Sequence, residues 1–400
     1  MRRRSRLPAV LAMALLGLVL LGAGIWLGGH PGALPGTVRD ALVADSDSRL
    51  YDETLDLIEE DYYRRVDRRT LVNRSLDAAV SSLGDRFSDY FDPATYRQFE
   101  ESTSGEFSGV GLSVEEVRRG LRVVQVFAGS PARRQGIRAG EIIVAVDGRS
   151  IAGRSSKAST ALIKGRPGTS VRLTLEGPGD QRRIERVRRA RVEVPVVSAR
   201  TERAGGEKVA YARLASFTSG AHGELGQAIR SRLKAGAKGV VLDLRDNGGG
   251  LLDEAVLVSS LFIDEGTVVS TRGRNRPRRV FSATGGAIDS GTPVVVLVNR
   301  GSASASEIVT GALQDRDRGT VVGTNTFGKG VFQEVKRLSN GGALDITVGE
   351  YFTPKGRNVG GGGVKQGRGL TPDVRARDDR STKRDEALDA ALRTLGAGLR

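Results

Sequence analysis

The sequence predicts a multidomain protein of mixed α+β and α/β class, with an apolar N-terminal helix followed by three folded regions. Residues 7–29 carry no charge, residues 46–101 show a helical period, and after Ala199 apolar strands alternate with amphipathic helices. A chain of 400 residues that is 38% hydrophobic is long enough to form two or three cores.

The first segment, 1–30, predicts export. Its uncharged run is long enough to span a bilayer as a helix, and it follows Arg2, Arg3, Arg4 and Arg6. By the positive-inside rule the arginines stay in the cytoplasm, with Trp26 at the far interface. We therefore expect a single-pass cell-membrane protein whose folded part is extracytoplasmic. A cleaved signal peptide, which would give a secreted protein, is the alternative, although no clean A-x-A site is present.

Two smaller regions follow the apolar segment. Region 40–104 is expected to be helical, because the leucines of "LYDETLDLIEEDYY" recur at spacings of 3 and 4. Region 106–189 contains short β-like runs, such as "EIIVAVDG" and "SVRLTLEG", with two short helical pieces between the runs. It is therefore predicted to be a compact, partly open β module.

The third region, 190–375, alternates strands with helices. "GVVLDLRD" and "PVVVLVNRG" are apolar runs typical of a buried parallel or mixed sheet, and the helix "SASEIVTGALQD" follows the second run. A site is expected at the strand ends of such a sheet. The tail, 376–400, is charged and then helical. The glycine-rich "GRNVGGGGVKQGRG" is expected to be a flexible surface loop.

Composition excludes several kinds of site. Cysteine is absent, and the only histidines are His30 and His222, so thiol chemistry and imidazole metal clusters are excluded. A Ser/His/Asp site would depend on His222, which lacks an obvious carboxylate partner nearby in sequence. The net charge of +15 would suit an anionic partner. However, basic and apolar residues alternate in "RRIERVRRARVEV", as in a strand with one solvent-exposed face, so nucleic acid is not expected as a partner.

Two short motifs have the spacing of other enzyme classes. "GTNTFGKG" has the spacing of a phosphate-binding loop, but Gly330 supplies no hydroxyl and a strand-like stretch follows. "SRLK", from Ser231 to Lys234, has an S-x-x-K spacing, but the accompanying S-D-N and K-T-G elements are absent. An ATP-using protein therefore stays a minor alternative.

A serine and a lysine remain as candidate catalytic groups. Composition alone leaves Ser302, Ser304 and Ser306 of "GSASASEIVTG" equivalent, although Ser304 has the S-x-x-E spacing of a helix capping box. Lys329 lies between two glycines at the end of an apolar strand, where burial would lower its pKa and let it act as a base. A solvent-exposed turn lysine is the alternative.

Several stretches together resemble one family. "GSASASEIVTGALQDRDRGTVVGTNTFGKGVFQ" closely resembles the catalytic core of the carboxyl-terminal processing proteases, the tail-specific serine proteases of the S41 class. "VVLDLRDNGGGLLDEAV" is similar to the family's D-L-R-x-N-P-G-G-L-L element, and "SPARRQGIRAGEIIVAVDG" to its PDZ helix and strand. "YFTPKGR" followed by "GLTPDV" resembles its C-terminal signature. The resemblance implies a PDZ domain over 106–189 and a crotonase-like α/β protease core over 190–375.

The resemblance also implies an activity, an exported serine endopeptidase that cleaves proteins near their C-termini. The family's nucleophile falls on Ser304, its general base on Lys329, and the amide that orients the lysine on Gln333. Backbone amides of Ala305 and Gly249 are implied as oxyanion donors, although "NGGG" leaves the choice of glycine open. No metal or cofactor is implied.

The PDZ resemblance implies the partner. Such domains add a peptide strand and bind its C-terminal carboxylate, here around Val110, Gly111 and Leu112. The implied substrates are exported or membrane-bound proteins with apolar or unfolded C-termini, whose binding gates activity. A non-catalytic PDZ scaffold is the alternative, and the oligomeric state is left open, with a homodimer as one alternative.

Three residues depart from the family pattern. Gly248 replaces a proline, which would loosen the oxyanion loop, and Glu141 stands where the PDZ turn usually has aspartate. Lys164 occupies the position of a basic residue that couples the PDZ domain to the active site in some relatives. The sequence leaves that coupling open.

Overall fold

The computed structural model describes residues 17, 20, 21, 26, 46–177, 179, 181–379 and 381–399. The apolar run 7–29 lies outside these residues except for four positions. Among the helices that are described, none combines the length and the apolarity needed to cross a bilayer. The membrane helix therefore stays a prediction.

The chain divides into two compact units, Met1–Ser82 and Leu83–Arg400. The first unit contains helices α1 (Ser46–Asp61) and α2 (Arg68–Ser81). The Asp67 side chain caps α2 by accepting from the Thr70 amide at 3.0 Å. Both helices fall in region 40–104, which the sequence predicts to be helical.

The second unit begins with an element that the sequence analysis did not anticipate, strand β1 (Asp89–Phe91), before helix α3 (Pro93–Ser104). Asp92 caps α3, because its side chain accepts from the amides of Ala94 at 2.9 Å and Thr95 at 2.7 Å. A proline at the first helical position adds to this start signal.

A β module follows α3. Its elements are β2 (Glu106–Gly109), β3 (Leu112–Val117), β4 (Gly120–Val126), α4 (Pro131–Arg134), β5 (Ile142–Val146), β6 (Arg149–Ser150), α5 (Ser156–Ile163), β7 (Ser170–Glu176), β8 (Arg182–Arg188) and β9 (Ala190–Glu193). One antiparallel sheet has the order β3-β4-β5-β7-β8, with β6 beside β5, and β2 pairs with β9. Alternate residues such as Leu121, Ile143, Leu173 and Val187 are fully buried, so this module has its own core.

A six-stranded central sheet follows the β module. Its strands are β10 (Val197–Ala204), β11 (Glu207–Leu214), β12 (Val240–Asp243), β15 (Val294–Val298), β16 (Thr320–Gly323) and β19 (Val374–Arg375). They lie in that order, and all pairs after the antiparallel β10–β11 pair are parallel. The associated helices are α6 (Ala221–Lys234), α7 (Leu252–Ser260), α8 (Ala305–Asp315) and α9 (Glu386–Ala397).

Both faces of the central sheet are covered, which explains why β12 and β15 are apolar at every position except Asp243. Val240 and Leu242 join the large core that also contains residues of α6, α7 and α8. Val241 points to the opposite face and joins a core with Leu388 of α9. The C-terminal tail is therefore a packed part of this fold.

A second sheet carries the remaining strands. They are β13 (Thr267–Gly273), β14 (Arg276–Ser282), β17 (Val331–Arg337) and β18 (Ala343–Phe352), together with β1. β18 pairs with β17 along one edge and with β1 and β13 along the other. Residues 85–91 are thereby brought beside β18, more than 250 positions later in the chain.

The glycine-rich stretch pairs with the turn that carries Lys329. The Gly330 amide donates to the Gly363 carbonyl at 3.0 Å, and the Lys365 amide donates to the Gly328 carbonyl at 3.1 Å. Gly360 is buried against the same turn. The stretch is therefore hydrogen-bonded to the turn that carries Lys329, although residues such as Gly361, Gly362 and Lys365 are exposed, as expected of a surface loop.

Candidate active site

Three loops meet at the carboxyl edge of the central sheet. They follow β12, β15 and β16 and cover residues 244–251, 299–304 and 324–330. Loops at this edge of parallel sheets commonly carry ligands and catalytic groups. Backbone hydrogen bonds join these three, from Ala303 to Asn247 at 3.0 Å and from Phe327 to Ser302 at 2.9 Å.

The three candidate serines differ in their surroundings. Ser302 and Ser306 are fully buried, and their hydroxyls donate to the carbonyls of Leu244 and Asn247, both at 2.8 Å. Ser304 is partly exposed. Ser302 and Ser306 therefore brace the loops, and Ser304 is the serine of the three that can meet a substrate.

Ser304 has an unusual backbone conformation, with φ 54° and ψ −114°. Holding a residue with a side chain in such a region costs about 1–3 kcal/mol, which surrounding contacts must offset. Ser304 is also the N-cap of α8, so the Ala305 amide is the first of the helix and has no intrahelical acceptor. A negative charge developing beside Ser304 would meet that amide and the positive end of the helix dipole.

Glu307 joins the loop 299–304, here called the serine turn, to the loop 324–330, the lysine turn. Its Oε2 accepts from the amides of Ser304 at 3.0 Å and Lys329 at 2.9 Å. Its Oε1 accepts from the Gly328 amide at 2.7 Å and the Thr326 hydroxyl at 2.5 Å. Burial raises the pKa of Glu307, and these four donors oppose that change. The capping-box spacing predicts the bond to Ser304, and the carboxylate in addition fixes Lys329 relative to that serine.

Tyr351 is a second brace between the same turns. Its hydroxyl contacts the Lys329 carbonyl and lies 3.4 Å from the Ser304 carbonyl. The residue is 1% exposed, and burial raises the pKa of Tyr351 well above its ordinary value, so the hydroxyl keeps its proton and donates. Tyr351 therefore holds carbonyls of the two turns, whereas Glu307 holds their amides.

The Lys329 amine lies in a partly buried environment. Its Nζ donates to Gln333 Oε1 at 2.6 Å and lies 4.6 Å from the centre of the Phe87 ring. Burial lowers the pKa of Lys329, and three nearby carboxylates oppose this change. They belong to Asp345, Asp85 and Glu307. A lowered pKa increases the fraction of neutral amine, which is the form that can accept a proton.

Asp345 is the most perturbed of these carboxylates. It lies directly opposite Asp89 in the pairing of β1 with β18. Burial raises the pKa of Asp345 to about 6, with Lys329 lowering it and the carboxylates of Asp89 and Asp85 raising it further. Titration of Asp345 therefore changes the charge that Lys329 experiences.

The loop after β12 packs directly against the serine turn at Gly249. Gly249 has φ 107°, and a Cβ there would lie 2.9 Å from Ala303 O and Ser304 Cβ and 3.0 Å from Ala305 N. Only glycine fits this close approach. In this structure the Gly249 amide donates to Asn247 Oδ1 at 2.9 Å. Gly249 therefore lies beside Ser304, and its role as an oxyanion donor stays a prediction.

The rejected motifs lie in other surroundings. The residues after Lys329 form strand β17 instead of the helix that a phosphate-binding loop requires. Ser231 and Lys234 are exposed on α6. His222 does have a carboxylate partner, because its Nδ1 lies 2.9 Å from Glu254 Oε2, which also accepts from the His222 amide at 3.0 Å. This pair holds the start of α6.

A cavity of about 890 Å³ opens beside the same strand ends, and neither Ser304 nor Lys329 lines it. One wall is Arg245, which binds Asp243, Asp378 and Asp385. Other residues of the same three loops line it, such as Gly301 and Asn325, so the cavity adjoins the site without including Ser304 or Lys329.

The residues predicted to bind a substrate C-terminus lie at the edge of the β module. Leu112 opens β3, the end strand of the module's sheet. Val110 is buried, and its carbonyl accepts from the Ala132 amide at 2.8 Å. Gly111 has φ 85°, and a Cβ there would lie 2.2 Å from Ser130 Cβ. An edge strand can add a further strand, so the position suits the predicted peptide binding.

Lys164, at the end of α5, links the β module to α3. Its Nζ donates to Glu101 Oε2 at 2.8 Å and lies 5.5 Å from the centre of the Phe107 ring. The two charged side chains are 46% and 36% exposed, so this ion pair contributes about 0–1 kcal/mol. Its coupling to the active site stays a prediction.

Comparisons with known proteins identify the class as a peptidase of the serine type. Residues 208–376 match the family described as peptidase family S41, and residues 122–177 match a PDZ domain. These matches fall on the central α/β region and on the β module.

Relatives of known name extend the match over most of the chain. The chain is 36% identical over 330 residues to a carboxy-terminal-processing protease of Bartonella bacilliformis, covering 81% of this chain and 74% of that protein. It is 34% identical over 356 residues to the chloroplastic C-terminal processing peptidase of Tetradesmus obliquus, covering 85% and 77%. Among solved structures, the photosystem II D1 C-terminal processing protease matches with 31% identity and a TM-score of 0.50, covering 88% and 98%. The chain belongs to the C-terminal processing proteases of peptidase family S41, and the predicted family is confirmed.

Sequence reasoning missed several residues of the site. Asp85, Thr347 and Tyr351 reach Lys329 or Gln333 from distant parts of the chain, and no local pattern connects them. The S-x-x-E spacing was the one signal that pointed to Glu307.

Proposed function

We propose that this chain is an exported endopeptidase that cleaves proteins near their C-termini, with Ser304 as nucleophile and Lys329 as general base. Gln333 orients the lysine. The proposal rests chiefly on one observation: Glu307 binds the amides of both Ser304 and Lys329, whose side chains belong to different loops. Membership of a serine peptidase family supports it.

The reaction begins when the neutral Lys329 amine takes the Ser304 hydroxyl proton as the oxygen attacks the scissile carbonyl. Two backbone amides stabilise the oxyanion. One belongs to Ala305 and the other to a glycine of residues 248–250, for which we propose Gly249. The lysine then gives its proton to the leaving amine. Lys329 then takes a proton from the water that attacks the acyl-serine ester and returns it to Ser304 Oγ as the acid product leaves, which restores the free enzyme.

The β module supplies substrate recognition in this proposal. A substrate C-terminus adds as a strand beside β3, and its carboxylate binds the amides around Val110, Gly111 and Leu112. Binding there gates the protease core, in part through Lys164. A peptide with an apolar tail should compete for cleavage, whereas the same peptide with an amidated C-terminus should compete poorly. Equal competition would contradict carboxylate recognition.

The N-terminal run supports a location as well. We place the catalytic part outside the cytoplasm, attached to the cell membrane through residues 7–29. N-terminal sequencing of the mature protein and alkaline extraction of membranes test this placement. A mature N-terminus after the apolar run would favour the secreted form, and recovery in the cytoplasm would contradict export.

The catalytic assignment is tested with the full-length protein and an unfolded substrate that has an apolar C-terminal tail. Ser304→Ala and Lys329→Ala should each abolish cleavage. Ser231→Ala and Lys234→Ala are matched controls, because that exposed serine–lysine pair lies on α6, and they should cleave at the parent rate. Cleavage by the Ser304 or Lys329 variant at the parent rate would refute the dyad and favour a non-catalytic scaffold for this site.

A further inference from the structure

The orientation of the Gln333 amide is fixed from two sides. Its Oε1 accepts from Lys329 Nζ at 2.6 Å, and its Nε2 donates to Thr347 Oγ1 at 2.9 Å. A side-chain amide has one accepting end and one donating end, so each bond determines the other. Thr347 therefore influences which end of Gln333 faces the lysine.

Thr347 is placed by the strand pairing. It lies directly opposite Gln333 where β17 pairs with β18, next to an irregularity in the register at Phe332. Its backbone amide donates to Ser88 Oγ at 3.0 Å, so the strand is anchored on the segment before β1. The Gln333–Thr347 contact is therefore a consequence of the sheet register.

Asp85 lies at the far end of this chain of hydrogen bonds. Its carboxylate accepts from Ser88 Oγ at 2.7 Å and from the Phe87 amide at 3.1 Å, and Ser88 Oγ in turn accepts from the Thr347 amide at 3.0 Å. The Thr347 side chain lies close enough to act on the same carboxylate. Burial opposes ionisation, but these hydrogen bonds lower the pKa of Asp85 below its ordinary value. Asp85 is therefore an ionised group that can only accept.

Because Asp85 can only accept, it determines which group donates in each hydrogen bond between itself and Lys329. The Thr347 hydroxyl has a single proton, and when Asp85 accepts it the hydroxyl oxygen is left to accept from Gln333 Nε2. The Gln333 oxygen then faces Lys329. We propose that Asp85 and Thr347 are positioning residues that keep the oxygen of the Gln333 amide turned toward the lysine base.

This inference rests on the proposed role of Lys329 and adds a consequence for its chemistry. With one N–H committed to Gln333, the neutral amine has a defined direction for the lone pair that takes the serine proton. A flipped amide would present its NH₂ group to Nζ, and two donors would then face each other. That arrangement disfavours the protonated lysine, so the pKa of Lys329 would fall as positioning is lost.

The key experiment compares Thr347→Val with Thr347→Ser by the pH profile of kcat/KM in the full-length protein. Valine preserves the shape but removes the acceptor, so the plateau should fall on the order of 10- to 100-fold. Its acid limb should also move to lower pH. Serine keeps the hydroxyl and should restore both values. No charge changes in either variant, so the carboxylates that face Lys329, those of Asp345, Asp85 and Glu307, remain in place.

Two further variants separate positioning from general damage. Asp85→Asn should lower the plateau as Thr347→Val does, because an asparagine can donate to the threonine oxygen and reverse the hydrogen bonds. Its limb is not compared, since loss of the Asp85 charge lowers the pKa of Lys329 by itself. Glu334→Gln is the matched control, since Glu334 follows Gln333 on β17 and binds Arg276 and Lys336 instead. It should leave the plateau and the limb unchanged.

The outcomes distinguish this inference from the proposed function. If Lys329→Ala is inactive but Thr347→Val keeps the parent plateau and limb, the positioning inference is wrong and the base assignment stands. If Lys329→Ala is active, the proposed function itself fails. A lower plateau for Thr347→Val with an unmoved limb and no recovery in Thr347→Ser indicates a structural role and also overturns the inference. If Thr347→Val does not fold, Thr347→Ala, which also leaves every charge in place, decides by the same two readouts.

Discussion

Replacing Glu307 with glutamine isolates the contact that joins the serine and lysine turns. The wild-type carboxylate accepts four hydrogen bonds, from the amides of Ser304, Gly328 and Lys329 and from the Thr326 hydroxyl. Glutamine has nearly the same shape but offers a single accepting oxygen. Two of the four donors would therefore face an NH₂ group.

The expected loss of stability follows from the two donors that no longer have an acceptor. A buried donor without a partner costs about 1–3 kcal/mol, and relief from burying a charge offsets part of the total. We expect Glu307→Gln to lower the free energy of unfolding by about 2–4 kcal/mol. Because the same contact sets the position of Ser304 relative to Lys329, kcat/KM should fall on the order of 100-fold.

Glu254→Gln provides the control, measured by guanidinium unfolding and by cleavage of an unfolded substrate. Glu254 is buried and accepts from the Gly220 amide at 2.7 Å and the His222 amide at 3.0 Å, but its bonds lie at the start of α6. It should lose comparable stability and keep nearly the parent kcat/KM. The reasoning is refuted if Glu307→Gln loses stability without losing more activity than Glu254→Gln.

Three further predictions follow from the same structure. Gly249→Ala should reduce cleavage strongly, because its Cβ would lie 2.9 Å from Ser304 Cβ. Gly248→Ala is the control, since its Cβ would meet nothing within 4 Å, and it should keep the parent rate. Equal rates for the two variants would contradict this prediction. The pKa of Asp345 is raised from 3.8 to about 6 in the folded protein, so stability falls as pH rises between these values. Asp345→Asn should therefore be more stable than the parent at about pH 8 but not at about pH 3, and the acid limb of its kcat/KM profile should move to lower pH. A difference in melting temperature between variant and parent that does not change with pH would contradict this prediction. Arg245→Met should lower the free energy of unfolding in urea by about 3–5 kcal/mol, because it leaves the buried Asp243 without its guanidinium partner. Asp385→Asn should lower it by about 1 kcal/mol or less. Asp385 is 43% exposed, and equal costs would argue against that difference.

Local patterns predicted the parts of the fold that depend on nearby residues. The α8 helix start at Ser304, the buried β12 and β15 strands and the order of the regions all have signatures in periodicity, caps or apolar runs. The family resemblance supplied the serine peptidase class, which the relatives confirm. The roles of Ser304, Lys329 and Gln333 stay predictions of that resemblance.

The remaining parts of the site depend on contacts between distant residues. Asp85 reaches Thr347 because β1 pairs with β18, and a segment beginning with "GDRF" carries no sign of such a partner. The glycine-rich stretch was interpreted from composition, yet its carbonyls and amides pair with those of the lysine turn. Neither contact has a local signature, since each is set by sheet register and loop packing.

The pKa of the Lys329 base depends on opposing effects that sequence alone cannot weigh. Burial lowers the pKa of Lys329, and carboxylates from three different elements raise it. Phe87, whose ring centre lies 4.6 Å from Nζ, adds a contact that favours the charged form. The balance is therefore a property of the assembled site.

Labelling of the full-length protein with a fluorophosphonate, followed by peptide mapping across a range of pH, shows which serine is the nucleophile and whether Lys329 activates it. We expect one adduct, on Ser304, whose rate of formation rises with pH through an apparent pKa below about 10.4. This adduct should be lost in Lys329→Ala. An adduct on another serine, or equally fast labelling of Ser304 in Lys329→Ala, would contradict this expectation.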